Sequence, residues 1–307
     1  MATEATIGSL EVAPVERRRL WQAFADYWVL TKPEVNLLIA ITTLAGFSLA
    51  LPNHAHPFPY LLLANTLLGT LLVAGGTGTL NQYIERGFDA QMRRTWRRPL
   101  AAGTLRPRNV LGFGVLLSAA GGIYLAVAVN LLASLLAVLT LASYLFLYTP
   151  LKRKTPLCTL VGAFPGAMPP LIGWAAASGK LSLEAWVLYG IVFLWQFPHF
   201  MAIAWMYRED YARAGYQVLP FGGRRVPFMA WQSVVPSLAL IPLSLTPALL
   251  GHAGFFYLVG ALLLSVGFLY YGVRLTLMRS NAIARQLLMA SIIYLPFVSL
   301  LMLFDKI

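Results

Sequence analysis

The chain reads as nine apolar runs separated by short polar stretches. The runs fall near 34–52, 59–80, 109–129, 131–148, 157–177, 182–206, 228–250, 254–275 and 286–304. Each approaches the ~20 apolar residues that an α-helix needs to cross a bilayer. The pattern predicts an all-α polytopic membrane protein with nine transmembrane helices, the third and fourth divided around Asn130. The first 30 residues lack the apolar centre of a cleavable signal, and Glu4, Glu11 and Glu16 do not suit an acid-poor transit peptide. Residues 1–30 are expected to be a cytoplasmic tail and interfacial segment, and residues 31–307 a single transmembrane domain.

Composition agrees with this pattern. Only 11% of the 307 residues are charged, against about a quarter in a soluble domain. One cysteine excludes an internal disulfide framework, and Cys158 is expected to pack as a small apolar residue. The net charge of +12 would suit nucleic acid, but its distribution is simpler to explain. The N-terminal tail and the even-numbered loops hold 21 of the 23 Lys and Arg residues; the other side has Lys180 and Lys306. Cytoplasmic loops accumulate such cations. The N-terminus is therefore expected inside and the C-terminus in the periplasm, in a bacterial inner membrane.

Against this oil, charge is conspicuous. Of 11 acids, Glu85, Asp89, Glu209 and Asp210 lie past the cytoplasmic ends of the second and sixth helices. Asn81, Glu85 and Asp89 are spaced by four, so on a helix they project as one fan. Two carboxylates and an amide oxygen suit Mg²⁺, which takes a few protein oxygens and completes its shell with phosphate and water. Arg94, Arg98, Lys152, Arg153 and Lys154 occupy the adjacent loops. Basic cytoplasmic loops are the default for topology alone, but here the cations are dense and beside acids. Arginine offers phosphate a planar fork and lysine a point charge. Acids for a metal beside cations for phosphate, at the mouth of an apolar bundle, suit a diphosphate with a greasy tail. Asp89 and Asp210 are four helices apart, which is compatible with two related halves facing one cavity.

The sixth helix adds His199. It stands 11 residues before Asp210, which on a continuous helix puts both on about one face, with the histidine about 16 Å deeper. Pro198 is expected to open the helix locally, and an ionisable residue at membrane depth is a functional candidate. The plain alternative is a histidine bonded to a neighbouring helix. Trp195, Phe200 and Trp205 are candidates to line the path of a carbocation. His54, His56 and His252 are expected to have no chemical role.

"NQYIERGFDAQMRRTWRRPLAAG" resembles the first acidic motif of the UbiA-type intramembrane prenyltransferases. "LTKPEVNLL", "YTPLKRKT", "VGAFPGAMPPLIGW", "WQFPHF", "REDYARAGYQVLP" and "NAIARQLLMASIIYLP" resemble, in order, segments of that family's haem-farnesylating subgroup, over about residues 26–304. The resemblance implies a UbiA-type bundle, farnesyl diphosphate and haem B as substrates, haem O and diphosphate as products, and Mg²⁺ as the ion. It makes haem A synthase a candidate partner. Asn81, Glu85, Asp89 and Asp210 would then be catalytic metal–diphosphate residues, with Arg94, Arg98, Lys152, Arg153 and Lys154 on the diphosphate and His199 on the haem. One departure is Met206, which stands where the wider family often has the first acid of its second motif. A prenyltransferase acting on a quinone precursor would share the acids and cations, but has no reason for the haem-subgroup segments. A transporter would place acids at the bilayer midplane, where none is expected.

Overall fold

The computed structural model describes residues 20–52, 57–220 and 222–307. His54, His56 and most of the N-terminal tail lie outside the described residues. The chain enters through α1 (Leu20–Leu30) and continues in α2 (Pro33–Ala50), α3 (Tyr60–Asp89) and α4 (Pro107–Ala128). The fourth crossing is α5 (Leu131–Ser143), a π-helical turn (Tyr144–Tyr148) and α6 (Thr149–Leu151). The fifth joins α7 (Cys158–Gly166) to α8 (Met168–Ser178), and the sixth is α9 (Leu183–Met206). After the short α10 (Arg208–Arg213) come α11 (Arg225–Leu249), α12 (Phe255–Met278) and α13 (Asn281–Phe304). Among the described residues these make nine spans long and apolar enough to cross a membrane, as the pattern predicted.

Three local differences bear on the site. First, the apolar run of the second span stops near residue 80, but α3 itself continues to Asp89, so the fan lies on one unbroken helix, as the spacing by four required. Second, α9 continues through Pro198 without ending there, although the proline has no N–H to donate within the helix; packed neighbours let a helix continue past a proline at membrane depth. Third, α9 stops at Met206, and Tyr207 (φ −108°, ψ 21°) leads into α10. Asp210 and His199 are therefore on different helices, and the one-face argument linking them does not hold.

The spans form a closed ring. α3 packs on α4, α2 on α8, α9 on α11, α11 on α12 and α12 on α13, and α13 returns to α9 and α2. Helices in lipid associate by close packing, so small residues sit where backbones meet. At the α2–α8 contact, a Cβ at Gly46 would run into the Pro170 carbonyl, and one at Gly173 into that of Thr43. The outer face exposes Leu61, Leu116, Val127 and Phe146 to lipid. Inside, the hydroxyls of Thr42, Thr66, Thr77 and Thr79 donate to carbonyls of their own helices, which satisfies them without water. Cys158 is free and fully buried, as expected.

Candidate active site

Asn81, Glu85 and Asp89 are spaced one helical turn apart, so the straight run of α3 turns all three toward the centre of the ring. They are 1%, 6% and 2% exposed, and all three line a single cavity of ≈ 430 Å³. That size is within the range of small-molecule sites. On α3 its wall extends from Thr70 to Asp89, about 28 Å at 1.5 Å per residue. Each polar group of the fan has a cation. Lys152 Nζ donates to Glu85 Oε1 at 2.8 Å, Arg98 to Asp89 Oδ2 at 2.8 Å, and Lys32 Nζ to Asn81 Oδ1 at 2.9 Å. Thr149, brought round by the π-helical turn, accepts from Asn81 Nδ2 at 3.2 Å. The Thr95 hydroxyl donates to the Asp89 carbonyl and folds the following loop back over the helix end.

Arg94 also lines the cavity, with its guanidinium 4.9 Å from the centre of the Tyr207 ring. Four cations thus face two carboxylates, an excess of positive charge that an entering anion would relieve. The crowding shows in the lysines. Burial, with repulsion from Arg98 and Lys152, lowers the pKa of the Lys32 ammonium to about 7. Burial also works against the Lys152 charge, but the Glu85 carboxylate outweighs it and holds that pKa well above the ordinary lysine value.

The remaining predicted residues are placed differently. Asp210 is buried but does not line the cavity. Its carboxylate accepts from the Arg94 backbone N–H and from Arg213, each at 3.0 Å, which fastens the loop carrying Arg94 to α10. Glu209 is exposed beside Arg208. Arg153 and Lys154 are exposed and off the cavity wall; the Arg153 guanidinium lies 4.3 Å from the centre of the Phe88 ring. His252 lies 3.3 Å from Glu184, away from this cavity.

Lys32 was not among the candidates that sequence reasoning raised, because a cation at the end of a basic tail is explained by topology alone. Its signal was its place immediately before Pro33, the first residue of a span. There it adopts a left-handed conformation (φ 56°, ψ 64°) that turns the chain into the bundle. Such a conformation costs a non-glycine residue roughly 1–3 kcal/mol and persists only where its surroundings hold it; here the Lys32 N–H donates to the Val29 carbonyl and its own carbonyl accepts from Val35 and Asn36.

His199 lines the same cavity as the acids. Its Nδ1 is 2.8 Å from Ser291 Oγ, and its ring stacks on Trp195 at 4.9 Å. Trp195 and Phe200 share this wall, whereas Trp205 does not.

No group of three His, Cys, Asp or Glu side chains able to hold a metal occurs among the described residues. The oxygens of Asn81, Glu85 and Asp89 nevertheless open on one cavity from successive turns, beside cations placed for phosphate. That donor set fits Mg²⁺ held by few protein oxygens and completed by diphosphate and water.

The profile of the UbiA prenyltransferase family matches residues 39–294. The chain belongs to the UbiA prenyltransferase family. The narrower resemblance also holds. A protoheme IX farnesyltransferase from Solibacter usitatus is 52% identical over 92% of this chain and 98% of its own. The UbiA fold recurs in a solved digeranylgeranylglyceryl phosphate synthase (TM-score 0.71, 18% identity, 92% of this chain and 98% of that one). It recurs again in a UbiA homologue from Archaeoglobus fulgidus bound to GPP and Mg²⁺ (TM-score 0.58, 16% identity, 91% and 99%).

Proposed function

We propose that the protein transfers the farnesyl group of farnesyl diphosphate to a vinyl group of haem B, with addition of water, giving haem O and diphosphate. The observation that carries this reading is that one cavity is lined both by the acids and cations of the fan and by His199, Trp195 and apolar side chains. The identity to protoheme IX farnesyltransferases supports haem as the acceptor.

Lys32, Arg94, Arg98 and Lys152 would hold the diphosphate, with Asn81, Glu85 and Asp89 holding Mg²⁺. Asp210, through the Arg94 backbone, would keep that loop in place. Bound Mg²⁺ would supply further positive charge to the diphosphate oxygens as charge develops on them. The four cations do the same through fixed hydrogen bonds, which lets the allylic C–O bond lengthen. Apolar walls exclude bulk water from the farnesyl cation. The vinyl π-electrons form the new carbon–carbon bond. One water then adds its oxygen to the carbon beside the porphyrin and loses a proton. The test compares diphosphate release with haem B and with an aromatic quinone precursor as acceptor. Release that depends on haem B is expected; release that depends only on the quinone precursor would overturn the assignment.

The basic end, with its 21-to-2 bias of Lys and Arg, is proposed to face the cytoplasm of a bacterial inner membrane. A reporter fused after Ile307 should then register outside and one inserted beside Lys154 inside. The reverse would invert the orientation.

A further inference from the structure

Ser291 sits on α13, fully buried, and holds two rings of α9 at once. Its backbone carbonyl accepts from Trp195 Nε1 at 2.8 Å, and its Oγ lies 2.8 Å from His199 Nδ1. Trp195 and His199 stack with 25° between their planes. The imidazole is therefore fixed both in its plane and at one nitrogen.

The third contact of Ser291 favours one assignment of the ring proton. Ser291 Oγ lies 2.5 Å from the Leu288 carbonyl oxygen. Two oxygens that close require a hydrogen between them, and the carbonyl has none to give. The single hydroxyl proton is thus committed to Leu288. With that proton on Leu288, the hydroxyl accepts toward His199, which assigns the ring proton to Nδ1. A neutral imidazole protonated at Nδ1 has its lone pair at Nε2. Among the described residues nothing hydrogen-bonds Nε2, and the ring lines the cavity.

We propose that Ser291 is a positioning residue that fixes His199 as its Nδ1–H tautomer, so that Nε2 is presented to the cavity as an axial ligand for the iron of the porphyrin substrate. The inference rests on the haem reading of this cavity. A histidine that ligates a metal characteristically donates its other N–H to an acceptor, which sets the tautomer and the ring orientation. Leu288, Ser291 and His199 form that arrangement. Trp195 supplies the flat face that keeps the ring from turning.

Two measurements test it. In protein labelled with nitrogen-15 at its four histidines, with the His199 signal assigned by its loss in His199→Gln, the Nδ1–H tautomer is expected. It should persist in Ser291→Thr, whose hydroxyl can still bond a carbonyl one turn back, and should be lost or mixed in Ser291→Ala. In detergent, ferric haem B titrated into the full chain should give a Soret shift of a histidine-ligated iron. Ser291→Ala should weaken that binding about 10–100-fold, the usual cost of removing the partner of a ligating histidine, and Ser291→Thr should restore it. The Nε2–H tautomer in wild-type protein overturns the proposal whatever haem does. Unchanged haem affinity and spectrum in a stable Ser291→Ala protein overturn it as well. The expected tautomer with no histidine-ligated haem in the wild type removes the ligand role. If haem-dependent diphosphate release nevertheless continues, the functional assignment survives that result.

Discussion

Asp89→Ala should give a folded membrane protein with turnover reduced by at least about 10²–10³-fold, the range found when one fixed charge contact to a transition state is removed. Asp89 is the last residue of α3, 2% exposed, and its carboxylate is bound to Arg98. Its loss removes a proposed metal oxygen and frees Arg98 to move, so two contacts to the leaving diphosphate weaken together. The fold should survive because the Arg98 side chain is 23% exposed and can be hydrated. The Thr95 bond to the Asp89 backbone carbonyl does not depend on the side chain. Diphosphate release at saturating substrate and gel filtration in detergent check the two halves of this expectation. Near-normal release would remove Asp89 from the chemistry.

Lys152→Met should be worse for the molecule as a whole. Lys152 and Glu85 have side chains 14% and 8% exposed and meet at 2.8 Å. Removing one partner of a buried pair leaves the other charge uncompensated, at a typical cost of about 3–5 kcal/mol. Replacing both partners is often nearly neutral. Lys152→Met is therefore expected to lower the thermal midpoint markedly and abolish turnover. Adding Glu85→Met, so that both partners become apolar, should recover most of the stability and none of the activity. A Lys152→Met protein as stable as the wild type would mean that the pair does not carry that cost.

What could be read in the sequence follows from what each inference assumed. The spans were legible because lipid demands long apolar runs whatever the tertiary contacts. The Asn81/Glu85/Asp89 fan was legible because spacing by four fixes a helix face as long as the helix continues, and α3 does continue. The same reasoning failed for His199 and Asp210, because no glycine or proline marks the break at Tyr207. Asp210, read as a metal ligand, instead meets Arg94 and Arg213, a tertiary arrangement without a local signature. Lys32 was hidden among topological cations, and its role depends on a contact with a residue 49 positions away. Ser291 was equally silent: a serine in a span is ordinary until its partners, 92 and 96 residues away, are known.

The central claim is that one cavity brings a diphosphate at the Asn81/Glu85/Asp89 end together with a porphyrin at the His199 end. The most direct measurement is the mass and connectivity of the porphyrin recovered after purified protein is incubated with farnesyl diphosphate, haem B and Mg²⁺. A porphyrin carrying one added farnesyl group and one added water, bonded through a former vinyl carbon, is the expected product. Haem B recovered unchanged while farnesyl diphosphate is consumed, by hydrolysis or by transfer to another acceptor, would contradict the account.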